Sequence, residues 1–156
     1  MGLEEIVKKF RPHILNKDKQ RLFVGNSNPN EGKAAQAIIL LNDAVQHASK
    51  NGKFHDQLAK LILVNIYTEW DELYRPMIAA EHETDSKCIK SDLMGDLRLI
   101  RHCIIHNKSK LTTKEIAKLK VLRVKSEMGR LIIPEQDFAE IMNHINKMSI
   151  EIPKQQ

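Results

Sequence analysis

The run Leu61-Ile62-Leu63-Val64-Asn65-Ile66-Tyr67 is apolar nearly all round, inside a helical pattern that extends from Phe54 to about Glu81. A helix of that kind has to be enclosed by other elements, so this one is predicted to be the central, most buried helix of the fold. Pro76 is expected to kink it or end it, because proline removes a backbone donor and crowds the preceding turn. Aromatic residues are few, with Trp70 the sole tryptophan. That scarcity argues against an all-β sandwich and against an RNA-binding sheet that stacks bases on aromatic platforms.

The other segments point the same way. Leu3, Ile6, Val7 and Phe10 recur at helical spacing and predict a short N-terminal helix, interrupted near Pro12. Residues 16–30 read as a polar loop. Asn28-Pro29-Asn30-Glu31 looks like a helix start, with an apolar stripe following through Ala34, Ala37, Ile38, Leu41, Ala44, Val45 and Ala48. A third strong helix is predicted from about Ser91 to Asn107, after a polar connection from His82 to Lys90. Thr112-Thr113-Lys114-Glu115 has capping-box spacing and opens a short helix. The segment Leu119–Ile133 fits either a small hairpin or a ragged helix. Pro134, followed closely by Glu135 and Asp137, begins a last helix carrying Phe138, Ile141, Met142, Ile145 and Met148.

The expected architecture is therefore all-α, an up-and-down bundle of four or five main helices. The 156 residues fit one domain, with residues 1–29 as an N-terminal extension and 30–148 as the bundle. No apolar run reaches the roughly 18 residues needed to cross a bilayer. The first residues lack the basic and apolar regions of a secretory leader. With two cysteines, Cys88 and Cys103, no disulfide framework is expected, and the chain reads as cytoplasmic.

Net charge is +5, but it is unevenly placed: residues 86–130 hold 12 basic and 4 acidic side chains, a local +8. A concentrated positive field suits a polyanion such as RNA. It equally suits a lysine-rich surface that keeps a helical protein soluble.

The helix within this block has an unusual face. With Leu93 at 0° and about 100° per residue, Leu97, Ile100 and Ile104 complete an apolar stripe. On the opposite side lie Ser91, Gly95, Arg98, His102 and His106: two small residues, an arginine and two histidines, with no lysine or acid. Small residues allow another backbone to come close, so this face is expected to pack on a second helix.

Arg101-His102-Cys103-Ile104-Ile105-His106, with the flanking Asp92–Ile100 stretch and Asn107-Lys108, resembles the Arg-x4–6-His motif helix of the HEPN superfamily. The polar residue directly after the arginine belongs to that pattern, and a preceding long helix with Trp70, Tyr74 and Arg75 resembles the family too. The likeness covers roughly residues 34–148. It implies an all-α bundle that dimerises with two motif helices facing each other. It further implies a metal-independent ribonuclease without cofactor, of the kind used as toxins or phage-defence effectors, in some cases with a cognate antitoxin. Arg75 and His82 give a second match to the spacing, but Pro76 follows that arginine where the helix is expected to end. Where the family is controlled by nucleotidyltransferase partners, a tyrosine stands two residues after the motif histidine. Lys108 occupies that position here.

The residue chemistry fits RNA cleavage. RNA carries its own nucleophile in the 2′-OH, so the protein has only to move protons and stabilise a charged phosphorane. Histidine side chains ordinarily titrate near ~6.5 and suit proton transfer at neutral pH, which makes His106 and His102 the candidates. Arg101 is the candidate for gripping phosphate oxygens with paired donors. It lies about 140° from His106 around the helix, so a partner subunit's arginine is expected to complete each site. Arg98, Asn107, Lys108 and Lys110 are the expected substrate-binding residues. His102 and His106 also have the i, i+4 spacing of metal ligands, without the glutamate or third ligand of a zinc motif. A non-catalytic RNA- or nucleotide-binding dimer is the remaining alternative.

Overall fold

A computed structural model of the protein describes residues 21–24 and 37–153. The expected N-terminal helix and the Asn28-Pro29 helix start lie outside the described residues. The chain divides into two compact units, residues 1–55 and 56–156.

In the first unit, β1 (Arg21–Val24) pairs antiparallel with β2 (Ala37–Leu40), placing Arg21 opposite Leu40 and Phe23 opposite Ile38. This corrects two expectations. The polar loop over 16–30 contains a strand, and the helix expected to run through Ala37 and Ile38 begins only at Leu41. The adjacent β-branched Ile38 and Ile39 favour extended backbone, and Leu22–Val24 supplies a partner for it. α1 follows (Leu41–His47), burying Leu41 and Ala44. Gly52 then permits a tight turn in which a Cβ would meet the His47 carbonyl oxygen at 2.5 Å. The His47 ring meets Phe54 edge-on at 5.4 Å.

α2 (Lys53–Glu69) carries its buried side chains on one stripe, Ala59, Leu63 and Tyr67, continued by Trp70. The all-round burial expected of it is not found: Leu58 and Leu61 are 58% and 60% exposed. Pro76 does not end the helical run. The chain widens into a π-helical turn (Trp70–Tyr74), where the Arg75 amide bonds to the Trp70 carbonyl, and resumes as α3 (Arg75–Glu81). Proline has no N–H to give the carbonyl four residues back, and the wider turn reorganises the ladder just before it. Arg75 then donates from Nη1 to Asp71 (3.0 Å) and from Nε to the Ile89 carbonyl (3.1 Å), tethering the connection that follows.

α4 (Asp92–His106) is the most deeply enclosed helix of the second unit, with Leu93, Met94, Asp96, Leu97, Ile100 and Cys103 buried. These side chains join Leu63, Tyr67, Trp70, Leu111, Leu122, Leu131, Ile133 and Ile141 in one core. α5 (Thr113–Ile116) opens with the expected capping box: the Thr112 amide donates to Glu115 at 2.8 Å, and the Glu115 amide donates to the Thr112 hydroxyl.

The ambiguous segment 119–133 is a hairpin. β3 (Lys125–Glu127) pairs with β4 (Arg130–Ile132) through Met128 and Gly129, both at positive φ, as the tightest two-residue turn requires. Ser109–Leu111 lies along the outer side of β4 through Leu131 N–H to Ser109 and Leu111 N–H to Gly129 bonds. α6 (Glu135–Asn146) closes the unit, with Glu135 and Asp137 in its first turn. Among the described residues the protein is thus mostly helical, with a small antiparallel strand pair in each unit. Among the described residues, no helix is long and apolar enough to cross a membrane.

Candidate functional site

α4 begins at Ser91, whose backbone is extended, and stops at Asn107. Lys108 and Ser109 then take left-handed backbone angles, φ 52° and 61°. The Ser109 amide turns back to the Cys103 carbonyl at 3.0 Å, and the Cys103 thiol donates to the Lys110 carbonyl at 3.0 Å. Burial pushes the Cys103 thiol up from its ordinary value, with the Glu115 charge adding to the effect and Lys60 opposing it. The helix end and the loop that leaves it are therefore fixed by local bonds.

The exposed face matches the sequence pattern. Gly95, Arg98, His102 and His106 are exposed, and Ser91 is half-buried. The two imidazoles stand together, ring centroids 4.9 Å apart and tilted by 39°. Glu115 is close enough to feel the charge of His102. Its carboxyl sits below the ordinary value mainly because the Thr112 amide and hydroxyl bond to it. Lys108 and Lys110 are exposed and Asn107 is half-buried. An antiparallel bridge between Lys110 and Arg130 brings the tip of the second hairpin into the same basic region.

Arg101 points elsewhere. It is half-buried, its guanidinium carbon lies 5.7 Å from the centroid of the Tyr67 ring, and its Nε is buried with no hydrogen-bond partner among the described residues. Arg101 is packed against α2, whereas His102 and His106 face outward. Tyr67 was legible only as a core residue. It is 7% exposed, and burial, then the Asp71 charge, raise its phenol against the lowering pull of Arg98, Arg75 and Arg101.

Among the described residues, the two small residues receive no second helix. Instead, Ser91 and Gly95 border a cavity of about 530 Å³ that is also lined by Tyr67, Trp70, Arg75 and Arg98. A Cβ at Gly95 would meet nothing within 4 Å, and the Ser91 Oγ is buried without a hydrogen-bond partner among the described residues.

A further residue went unread in the sequence. Asp96, 2% exposed, accepts from the backbone amides of Lys120 (2.9 Å), Val121 (2.7 Å) and Leu122 (2.8 Å). Its only sequence signal is an acid at the edge of the apolar stripe of α4. It fastens the approach to the second hairpin onto the helix that carries the histidines.

Among the described residues, no group of three or more His, Cys, Asp or Glu side chains is placed to hold a metal ion. Comparison with family models, curated proteins and solved structures finds no match for this chain.

Proposed function

We propose that this protein is a metal-independent endoribonuclease of the HEPN type, an up-and-down helical bundle that works as a homodimer. The observation that carries the reading is the pair of exposed imidazoles on α4, 4.9 Å apart, in a segment of net charge +8. In this mechanism one imidazole of the His106/His102 pair removes the 2′-OH proton. The 2′-oxygen bonds to phosphorus, the bond from phosphorus to the 5′-oxygen breaks, and that oxygen leaves with a proton from an imidazolium. The products carry a 2′,3′-cyclic phosphate and a 5′-OH. Proton transfer of this kind contributes about 10²–10⁴ in rate.

Arg101 stabilises the charge that grows on the phosphorane. Its guanidinium lies over Tyr67 rather than beside His106, and symmetry gives the partner subunit's Arg101 the same place, so in this reading the arginine that completes each site swings off its Tyr67 ring when RNA binds. Arg98, Asn107, Lys108 and Lys110 hold the flanking phosphates. A cytoplasmic toxin or defence effector, restrained by a cognate antitoxin, is the setting that fits such an activity.

The Arg101–Tyr67 packing also favours a second reading, a non-catalytic RNA- or nucleotide-binding helical dimer in which Arg101 is structural. Labelled single-stranded RNA incubated with the protein in EDTA separates the two. Cleavage is expected to persist in the chelator and to disappear in His106→Ala and Arg101→Ala with unchanged circular dichroism. Binding without cleavage by the wild type leaves the binding module. Loss of cleavage on chelation points to a metal site instead.

A further inference from the structure

We propose that the cavity beside Gly95 is a separate binding site for a phosphate-bearing nucleotide unit, seated against Arg98 at the N-terminal end of α4. The inference rests on the reading of this helix face as an RNA-facing surface and adds a second subsite to it.

Three observations carry it. The cavity, about 530 Å³, has the size of a small-molecule site and exceeds what an inorganic anion alone would fill. Its walls are mainly polar. Arg75, Lys90, Arg98 and Lys120 outnumber the acids Asp92 and Glu151 there, while the edges of Tyr67, Trp70 and Met94, exposed by 7%, 4% and 5%, form a small apolar floor against which a sugar or the edge of a base can rest.

The cations differ in availability. Arg75 is paired with Asp71 at 3.0 Å and Lys120 with Asp92 at 2.5 Å. Arg98 is exposed and has no hydrogen bond or ion pair among the described residues, so its guanidinium is open to an incoming phosphate. Finally, Arg98 is one helical turn, roughly 6 Å, from His102 on the same face. The cavity and the imidazole pair are placed to take neighbouring nucleotides of one strand.

Gly95 lines the cavity and is itself exposed. Nothing lies within 4 Å of where its Cβ would be, so a large side chain can be placed at the cavity's edge without displacing a neighbour.

Trp70 lines the cavity and is the only tryptophan, so its fluorescence reports occupancy directly. The experiment titrates the full chain with adenosine 5′-monophosphate, adenosine and inorganic phosphate. The nucleotide is expected to give a saturable change, with adenosine and phosphate each at least ten-fold weaker. Arg98→Gln is expected to weaken the nucleotide at least ten-fold, Gly95→Phe to abolish the change, and His106→Ala to leave it intact. Arg98→Gln alters an exposed side chain and keeps the test decisive should Gly95→Phe fold poorly.

No saturable change in the wild type, equal binding of inorganic phosphate, or unaltered binding by both variants overturns the proposal. A 2′-deoxy oligonucleotide, which cannot be cleaved, distinguishes the sources. Competition with the monophosphate assigns the site to the strand, and its absence assigns the site to free nucleotide. Nucleotide binding without RNA cleavage removes the nuclease reading and leaves this site standing. Cleavage without a nucleotide-dependent signal does the reverse.

Discussion

The Arg101 guanidinium lies over the ring of Tyr67, 5.7 Å from its centroid, and this contact ties α4 to α2. A cation held over an aromatic face contributes about 0.5–2 kcal/mol, more as the pair is withdrawn from water. A double-mutant cycle with Arg101→Met and Tyr67→Leu, read by urea unfolding, is expected to give a coupling of about 0.5–1 kcal/mol. Tyr67→Phe, which keeps the ring, should preserve most of it. Additive single and double variants would show that the contact has no energetic content.

Asp96 is expected to be among the most sensitive positions of the second unit. Asp96→Ala leaves three amides without their acceptor, that of Leu122 buried and those of Lys120 and Val121 part-buried, and a buried amide left unsatisfied costs about 1–3 kcal/mol, so a loss of about 2 kcal/mol or more is expected. Asp96→Asn retains one carbonyl oxygen and should fall in between. Hydrogen exchange at Lys120–Leu122 checks the cause: protection there should drop before protection in α6 does.

Gly95→Ala is expected to stabilise the protein by about 1 kcal/mol, the difference between the two residues inside a helix, because its methyl group meets no neighbour. Thermal melting measures it. Stabilisation accompanied by weaker nucleotide binding would separate the folding role of this position from its part in the cavity.

The two cysteines should differ sharply in reactivity. Cys88 is exposed and Cys103 buried, so a thiol reagent is expected to titrate one group in the native protein and two in denaturant. Cys103 has its thiol raised in the folded state, which means the protonated form is the one folding favours. That contribution is complete below the unfolded thiol's value of about 9.0 and is lost as pH rises through the higher folded value. Ionisation also removes the proton donated to the Lys110 carbonyl. Unfolding free energy should accordingly decline above about pH 9 in the wild type and decline less in Cys103→Ala.

Glu115 works in the opposite sense. Its carboxyl is lowered by the Thr112 bonds, so its support for α5 is present above the ordinary carboxylate value and is lost as pH falls through the lowered one. Thr112→Ala removes the hydroxyl bond and keeps the larger amide one, so Glu115 should rise only part of the way toward 4.5, read by NMR titration of its side chain.

What the sequence revealed depended on how local the physics was. The bounds of α4, its apolar stripe and the capping box at Thr112 each rest on bonds within one or two turns, so residue order alone exposes them. The first hairpin stayed hidden because Ala37, Ile38, Leu41 and Ala44 also satisfy a helical period, and the partner strand is more than ten residues away. The Asp96 cradle involves amides 24 to 26 residues downstream, and backbone donors leave no mark in a sequence. The exposed face of α4 was foreseen, including Gly95. The cavity beside it was not, since the same small residues are equally compatible with a close helix contact. Arg101 and His106 were both singled out, but only the fold reveals that one packs inward on Tyr67 while the other faces solvent.

Cys103 holds Lys110 and Asp96 holds Lys120, so one helix clamps both stems of the excursion between them. The intervening Thr112–Lys118 stretch is fixed at its two ends and rests on the core through Ile116. Doubling its length adds only about 0.6 kcal/mol of closure entropy. That makes it the place where a tag, a fluorophore or an inserted module can be grafted while the imidazoles keep their stance.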